Sequence, residues 1–167
     1  GEIEASLEDK LPNLVDVSDI KSDLQIHSDF DTETRLDLGE SSMQEIIDKA
    51  NSLNYEYVAF TEHNPSSSKH SSNEINDIIK RKKEYIDKLN YSYVNSVKGS
   101  IQYVFNSLEV DIFQDGNLPL DEKALDLLDF ALVSIHSSFK MPRDVMTKRI
   151  INALSHDKAK IFAHPTT

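Results

Sequence analysis

The sequence predicts an α/β protein in which strands alternate with helices and form a parallel sheet or barrel. From residue 23 onward, short apolar runs alternate with helical patterns, an order typical of βα units. The chain has 167 residues, enough for one compact domain with a core. The predicted strands are 23–27, 55–61, 101–112, 130–135 and 160–163.

Helix signals lie between these runs. Ser42 with Glu45, and Ser71 with Glu74, have the spacing of a capping box just before an apolar stripe of helical period. Pro142 suits the first position of a further helix. The predicted helices are 2–9, 42–53, 73–89, 121–128 and 142–154, with residues 13–22 as a connecting segment.

The acidic composition limits the classes of function. A net charge of −11 argues that this chain does not bind nucleic acid unaided, because neutralising phosphates needs clustered Lys and Arg. Bound cations would offset part of that charge. The absence of cysteine excludes disulfides, thiolate metal sites and cysteine nucleophiles, and it fits a cytoplasmic protein.

The ends of the chain carry no targeting signal. No apolar run reaches the roughly 18 residues of a membrane span, and "GEIEA" is not a signal peptide. The chain begins without methionine and stops at "AHPTT", so we expect it to be a fragment of a longer protein.

Four of the six histidines stand at the C-terminal ends of predicted strands. They are His27, His63, His136 and His164. The third strand carries Glu109 and Asp111 near its end. Parallel strands present these ends on one face, which holds the active site of a (β/α) barrel. Neutral imidazoles with one or two carboxylates form a site for zinc, manganese or iron.

This set of side chains exceeds the needs of one tetrahedral ion with an open position, so we expect two or three ions. Such ions polarise a phosphoryl oxygen and make hydroxide available at neutral pH, which suits in-line hydrolysis of a phosphoester. Lys140 and Arg143 follow the fourth strand and are candidates for phosphate contact, although exposed charges at a helix start are an equally good interpretation. The candidate catalytic residues are His27, His63, Glu109 and His136.

Other polar residues have simpler interpretations. His70 lies in the polar stretch "SSSKHSSNE" and is predicted to be exposed. His156 follows a predicted helix and is expected to cap its C-terminus. The acidic run "DTETRLDLGE" is predicted to be a solvated loop, from which Asp31 or Glu33 could reach a metal.

The motifs "QIHS", "TEH", "LEVD", "SIHSSF" and "AHPT" together resemble the PHP family, the polymerase and histidinol phosphatase domain. The family motifs follow the same order: His-x-His-Ser, Thr-Asp-His, a glutamate on the third strand, Ser-x-His and His-Pro. The resemblance covers residues 22–167. It implies a distorted (β/α)7 barrel with up to three metal ions. The barrel would be incomplete at the C-terminus, because the Asp-x-His motif of the last strand is missing.

A narrower resemblance is to the C-terminal PHP domain of bacterial and archaeal family X DNA polymerases. It is carried by residues 1–28 and by "SIHSSFKMPRDVMTKRIINAL". It implies that residues 1–21 are a helix and connecting segment from an upstream polymerase region, and that 22–167 are the PHP domain. It further implies manganese-dependent 3′–5′ exonuclease or related 3′-end processing, with DNA bound through the rest of the polymerase chain.

The resemblance also implies the ligand set. Three positions depart from the family pattern. Gln25 replaces the first histidine and is a marginal ligand, Glu62 replaces the aspartate before His63, and Thr32 stands where an aspartate ligand would fall. The implied metal ligands are Gln25, His27, His63, Glu109 as the bridging carboxylate, His136 and His164.

Two alternatives stay open. The chain could be a catalytically degenerate PHP module that supports a polymerase, an interpretation motivated by Gln25 and the lost aspartate. It could also be a free-standing phosphatase of the histidinol-phosphatase kind, which the polymerase-like N-terminal segment disfavours. The oligomeric state is not predicted.

Overall fold

Strands and helices alternate along the chain in the order expected of βα units. The structure, a computed structural model, describes residues 1–94 and 99–165; the final threonines of "AHPTT" lie outside this part. The strands there are β1 (Ser22–Ile26), β2 (Tyr57–Phe60), β3 (Tyr103–Asp111), β4 (Phe130–Ser134) and β5 (Ala159–Phe162). The α-helices there are α1 (Glu2–Leu7), α2 (Met43–Ser52), α3 (Ser72–Lys88), α4 (Glu122–Asp126) and α5 (Arg143–Leu154).

The five strands form one parallel sheet with the spatial order β1-β2-β3-β4-β5. The sheet is curled into a half-barrel, so the fold is a mixed α/β structure consistent with part of a (β/α) barrel. Spatial order equals chain order, and each strand therefore lies beside the next one in sequence. All five C-terminal ends consequently meet along one rim, with β3 in the middle.

Both predicted capping boxes are confirmed. At the start of α2, Ser42 N donates to Glu45 Oε2 at 2.9 Å and Glu45 N donates back to Ser42 Oγ at 3.4 Å. At the start of α3, the corresponding distances between Ser71 and Glu74 are 2.7 and 3.4 Å. These bonds satisfy backbone donors that a helix N-terminus leaves unpaired. Pro142 is the N-cap of α5 rather than its first helical residue, because its ψ of 144° is extended.

The apolar core lies between the helices and the outer face of the sheet. Leu108 and Val110 of β3 are buried in the same apolar cluster as Ile79 of α3. A second cluster joins α2 to β2 through Ile47 and Phe60. Side chains alternate across a strand, so the residue between Leu108 and Val110 points to the inner face. The inner face of the half-barrel is therefore left for polar side chains at the rim.

The helical period of the sequence predicts an apolar stripe of Met146, Ile150, Ala153 and Leu154 on α5, and this prediction is wrong in part. Ala153 is buried, but Leu154 is 37% exposed. The helix instead buries Arg149, whose side chain donates to the backbone carbonyls of Phe113 at 2.9 Å and of Ser137 at 3.0 Å. The guanidinium of Arg149 also donates a hydrogen bond to the backbone carbonyl of Ile112. Burial lowers the pKa of this guanidinium. This arginine ties the loops after β3 and β4 to one helix.

The N-terminal segment lies apart from this core. Its helix α1, predicted at 2–9, has no buried residue. Ile3, Leu7 and Val17 are each about four-fifths exposed (79%, 81% and 83%). No helix in residues 1–94 and 99–165 has the length and apolar character needed to cross a bilayer.

Candidate metal centre

Glu109 lies at the centre of a histidine cluster on the C-terminal rim. Its side chain is 1% exposed. Oε1 lies 2.8 Å from His164 Nε2 and 3.0 Å from His136 Nε2. Oε2 lies 3.0 Å from Gln25 Nε2 and 3.3 Å from His27 Nε2. Each carboxylate oxygen thus faces side chains from a different half of the sheet.

Among the residues that the structure describes, two groups of side chains could hold a metal ion, and they share Glu109. One is His27, His63 and Glu109; the other is Glu109, His136 and His164. Within each group the possible ligand atoms lie within 4.8 Å of one another. Two imidazoles and one carboxylate suit a first-row divalent ion that keeps open positions for substrate. The sequence-predicted histidines and Glu109 do converge, although their role as ligands stays a prediction.

The histidine rings form a continuous arc. The His27 and His63 rings stack with centroids 4.5 Å apart, and His63 meets His136 edge-on at 5.1 Å. His136 and His164 follow at 5.4 Å. Four imidazolium ions so close together would repel one another, whereas neutral rings around a cation would not. His63 Nδ1 is also buried without a hydrogen-bond partner among the described residues, which fits a ring held in place by a metal.

The electrostatics of the cluster centre on the same carboxylate. Burial tends to raise the pKa of Glu109, but hydrogen bonds from His136, His27 and others hold that pKa well below its ordinary range. The hydrogen bond to Glu109 in turn raises the pKa of His27. Burial lowers the pKa of His63. Glu109 is therefore ionised across the physiological pH range.

Asp111 orients His136 from behind. Asp111 Oδ1 lies 2.6 Å from His136 Nδ1, and Ser134 Oγ lies 3.3 Å from the same nitrogen. The hydrogen bond to Asp111, followed by the one to Glu109, raises the pKa of His136 to about 9. A carboxylate on one ring nitrogen fixes the tautomer and directs the other toward the ligand position. Sequence reasoning named Asp111 as a strand-end carboxylate but missed this role.

Two departures from the family pattern have structural explanations. Gln25 reaches the central Glu109 with its amide, as described above. Thr32 is buried and donates its hydroxyl to the carbonyl of His63 at 2.7 Å. The loop after β1 is therefore attached to the end of β2 at the position where an aspartate ligand was expected.

The acidic residues beside Thr32 face elsewhere. Asp31 accepts a hydrogen bond from Glu33 N at 2.6 Å. The Glu33 carboxylate lies 2.9 Å from Arg81 and 3.5 Å from His70. Neither acid belongs to a candidate metal group within the described residues, so the expectation that one of them reaches a metal is not supported.

The two remaining histidines also differ from expectation. His70 is not exposed, because its side chain packs beside Glu33 with 17% of its surface accessible. His156 does not cap α5 through its side chain. Its Nε2 lies 3.3 Å from Glu122, and its Nδ1 accepts from Lys158 N at 3.1 Å. Lys140 and Arg143 are both exposed, and phosphate contact by them stays a prediction.

A buried ion pair lies directly behind the cluster. Glu62 Oε2 forms an ion pair with Lys82 Nζ at 2.8 Å, and Glu62 Oε1 accepts hydrogen bonds from Ser28 N at 3.0 Å and from Ser28 Oγ at 2.5 Å. Burial lowers the pKa of Lys82, an effect that Glu62 opposes. Sequence reasoning missed Lys82 because it stands in the polar run "KRKKE". The helical period alone could have indicated its burial, because residue 82 lies on the same face of α3 as the buried residues Ile75, Ile78, Ile79 and Ile86.

A cavity of about 380 Å³ adjoins the cluster on the side of His136 and Asp111. Arg35, Phe113 and three consecutive serines, 66–68, also line it. Arg35 and Phe113 are both exposed, Phe113 with 44% of its surface accessible. The cavity thus offers a cation, hydroxyls and an aromatic face next to the candidate ligands.

Comparison with known proteins finds one clear similarity. Over 153 residues, or 92% of its length, the chain is 31% identical to the DNA polymerase/3′-5′ exonuclease PolX of Bacillus subtilis (strain 168). The matched region covers 25% of that protein, so the chain spans about a quarter of the length of this curated relative. No protein-family model matches the chain. The similarity agrees with the predicted resemblance to part of a family X DNA polymerase.

Proposed function

We propose that this chain is a metal-dependent phosphoesterase domain of a family X DNA polymerase that hydrolyses phosphoester bonds at DNA 3′ ends. The observation that carries the proposal is the position of Glu109, shared by two groups of candidate metal ligands. The similarity to a protein named as a polymerase and 3′-5′ exonuclease supports the substrate class. In this proposal, residues 1–21 are the connecting segment and 22–167 the phosphoesterase domain, which is of PHP type.

The ligands divide into two sites. His27 and His63 would hold one ion, His136 and His164 the other, and Glu109 would bridge them. Zinc, manganese and iron all suit imidazole and carboxylate ligands. Divalent ions bound there would polarise a phosphoryl oxygen and lower the pKa of a water molecule enough for it to attack phosphorus.

The remaining polar residues orient these ligands. Asp111 holds the proton of His136 on Nδ1, which leaves Nε2 directed at the site. Gln25 donates to Glu109 Oε2 and so fixes the rotation of the bridging carboxylate. Both contacts place ligand atoms before any substrate arrives, and preorganisation of this kind lowers the cost of binding the transition state.

The substrate would lie in the cavity beside His136. The guanidinium of Arg35 would pair with a phosphate, because arginine matches phosphate oxygens with two parallel hydrogen bonds. The exposed ring of Phe113 would stack against a terminal base. Because the net charge of the chain is −11, a local positive charge such as that of Arg35 would be needed to bind the DNA end. The rest of the polymerase would supply the wider DNA-binding surface.

The test is to purify the protein, measure bound metal by mass spectrometry and follow cleavage of 3′-labelled DNA with manganese. We expect stoichiometric metal and removal of 3′ nucleotides, both reduced in His136→Ala. The matched control is His156→Ala, which changes a histidine outside the candidate groups. Stoichiometric metal without manganese-dependent cleavage, or a His136→Ala variant that cleaves normally, would contradict the catalytic proposal.

The first of these contradictory results would favour a structural module. Gln25 and Thr32 motivate that second candidate, because each occupies a position where a ligand was expected and is engaged in a hydrogen bond instead. The alternative of a free-standing phosphatase is tested by comparing the turnover of histidinol phosphate with the turnover of DNA ends. Faster turnover of the small substrate would replace the DNA-end proposal.

A further inference from the structure

The ion pair of Glu62 and Lys82 is enclosed between α3 and the sheet. The side chains are 1% and 0% exposed, and their charged atoms lie 2.8 Å apart. Removing two charges from water is costly, and apolar residues of similar volume often stabilise a core as well or better. A buried pair in this position therefore calls for an explanation other than fold stability.

The Glu62 carboxylate connects two candidate ligands of the same metal group. It accepts from both the backbone N–H and the hydroxyl of Ser28, which directly follows His27. Glu62 itself directly precedes His63. One carboxylate thus fixes the ends of β1 and β2 relative to each other, at the residues beside the two stacked rings.

Lys82 extends this connection to the third strand. Its ammonium donates to the carbonyl of Phe60 at 2.8 Å and to the carbonyl of Ser107. With the ion pair to Glu62, three oxygen atoms surround the buried ammonium. Ser107 lies two residues before Glu109 on the same strand. The pair therefore joins the three strand ends that carry His27, His63 and Glu109.

The other candidate group has a different attachment. His136 lies beside Ser137, whose carbonyl accepts from Arg149 of α5 at 3.0 Å. The two halves of the cluster are thus held by different buried cations from different helices. Because Glu109 is shared, a change at Glu62 or Lys82 should disturb the strand ends of His27 and His63 more than those of His136 and His164.

We propose that Glu62 and Lys82 are positioning residues for the site formed by His27, His63 and Glu109, and that their charges serve metal binding more than fold stability. This inference rests on the metal site of the proposed function. It predicts that the two sites can be weakened separately.

The test measures manganese binding and unfolding together in Glu62→Gln, Lys82→Met and the double variant. Each single change leaves one buried charge without its partner, so we expect a lower unfolding midpoint. The double variant removes both charges and should recover most of the midpoint. Its manganese affinity at the first site should stay at least about tenfold below that of the wild type. Affinity at the site of His136 and His164 should change less than about twofold.

The variants His63→Ala and His164→Ala show which measured affinity belongs to which site, because each removes a candidate ligand from one group only. The control pair is Glu33→Gln with Arg81→Met. This pair joins the loop after β1 to α3 at 2.9 Å, one residue before Lys82, but its side chains are 43% and 60% exposed. Surface pairs of this kind contribute little, and we expect normal binding at both sites.

Equal weakening of both sites in the double variant, or unchanged affinity at the first site, would overturn the inference. If the double variant does not fold, manganese binding by Glu62→Asp tests the inference instead. This change keeps the negative charge but places the carboxylate farther from Ser28. We expect weakening confined to the first site, and normal binding there would count against the proposal. A wild-type protein that binds no manganese, zinc or iron would overturn the metal centre itself, which is a different result.

Discussion

Gln25 donates its side-chain amide to Glu109 Oε2 at 3.0 Å, on the oxygen that also faces His27. The residue that departs from the histidine of the family pattern is therefore in contact with the central carboxylate of the cluster. It orients the Glu109 carboxylate through its amide nitrogen. This geometry explains how a glutamine can stand at this position without leaving a gap beside Glu109.

The first prediction concerns this contact. Gln25→Leu removes the donor and should weaken metal binding by about tenfold, because a hydrogen bond to a charged group contributes about 1.5–3 kcal/mol and Gln25 is partly solvated. Gln25→His should strengthen binding, since imidazole is a better ligand for first-row ions than an amide. Calorimetric titration with manganese measures both. Equal affinities in all three proteins would show that residue 25 has no part in the site.

The second prediction concerns pH. The pKa of His136 is raised to about 9 in the metal-free protein, and a metal must displace the extra proton from the ring. Metal affinity should therefore rise by up to about tenfold per pH unit from pH 7 to 9, and then level off. Asp111→Asn should move this levelling to lower pH. Titrations at several pH values, in buffers that report proton release, provide the measurement.

The same shift has a consequence for the metal-free fold. Because the folded-state pKa lies above the usual value of 6.5, protonated His136 stabilises the metal-free protein below pH 6.5. That contribution is lost as the pH rises to about 9. Unfolding midpoints of the chelator-treated protein should fall across this range, and less so in Asp111→Asn. A midpoint that is level from pH 6.5 to 9 would contradict the pairing.

The third prediction concerns Gly39. Its N–H donates to the carbonyl of Ser28 at 2.9 Å, and a Cβ there would lie 2.6 Å from the carbonyl carbon of His27. The obstructing atoms belong to the backbone, so Gly39→Ala should move the His27 loop and cost about 1–3 kcal/mol. Urea unfolding and manganese binding should both register the change. Gly1→Ala, where nothing lies within 4 Å, is the neutral control.

The fourth prediction concerns the substrate cation. Arg35→Ala should raise KM for 3′-labelled DNA by about tenfold and leave kcat within about twofold, because a phosphate contact outside the ligand set contributes to ground-state and transition-state binding alike. Steady-state kinetics separate the two constants. Lys140→Ala and Arg143→Ala serve as comparisons. A larger KM effect in either of them would place the phosphate at the start of α5 instead.

Much of the fold follows from local sequence. Both capping boxes, the βα alternation and the convergence of strand-end histidines on Glu109 need only periodicity and the rule that parallel strands end on one rim. Those features were predicted because they depend on residues close in sequence, or on the geometry common to every parallel sheet.

Only the tertiary structure decided which distant side chains are partners. Gln25 and Glu109 are 84 positions apart, and Lys82 stands among solvated lysines yet lies buried against Glu62. Helical period shows which face a residue occupies, but not whether a charge on that face meets a carboxylate, a carbonyl or water. That choice depends on strand register and on the curl of the sheet, which are set by the packing of the whole chain.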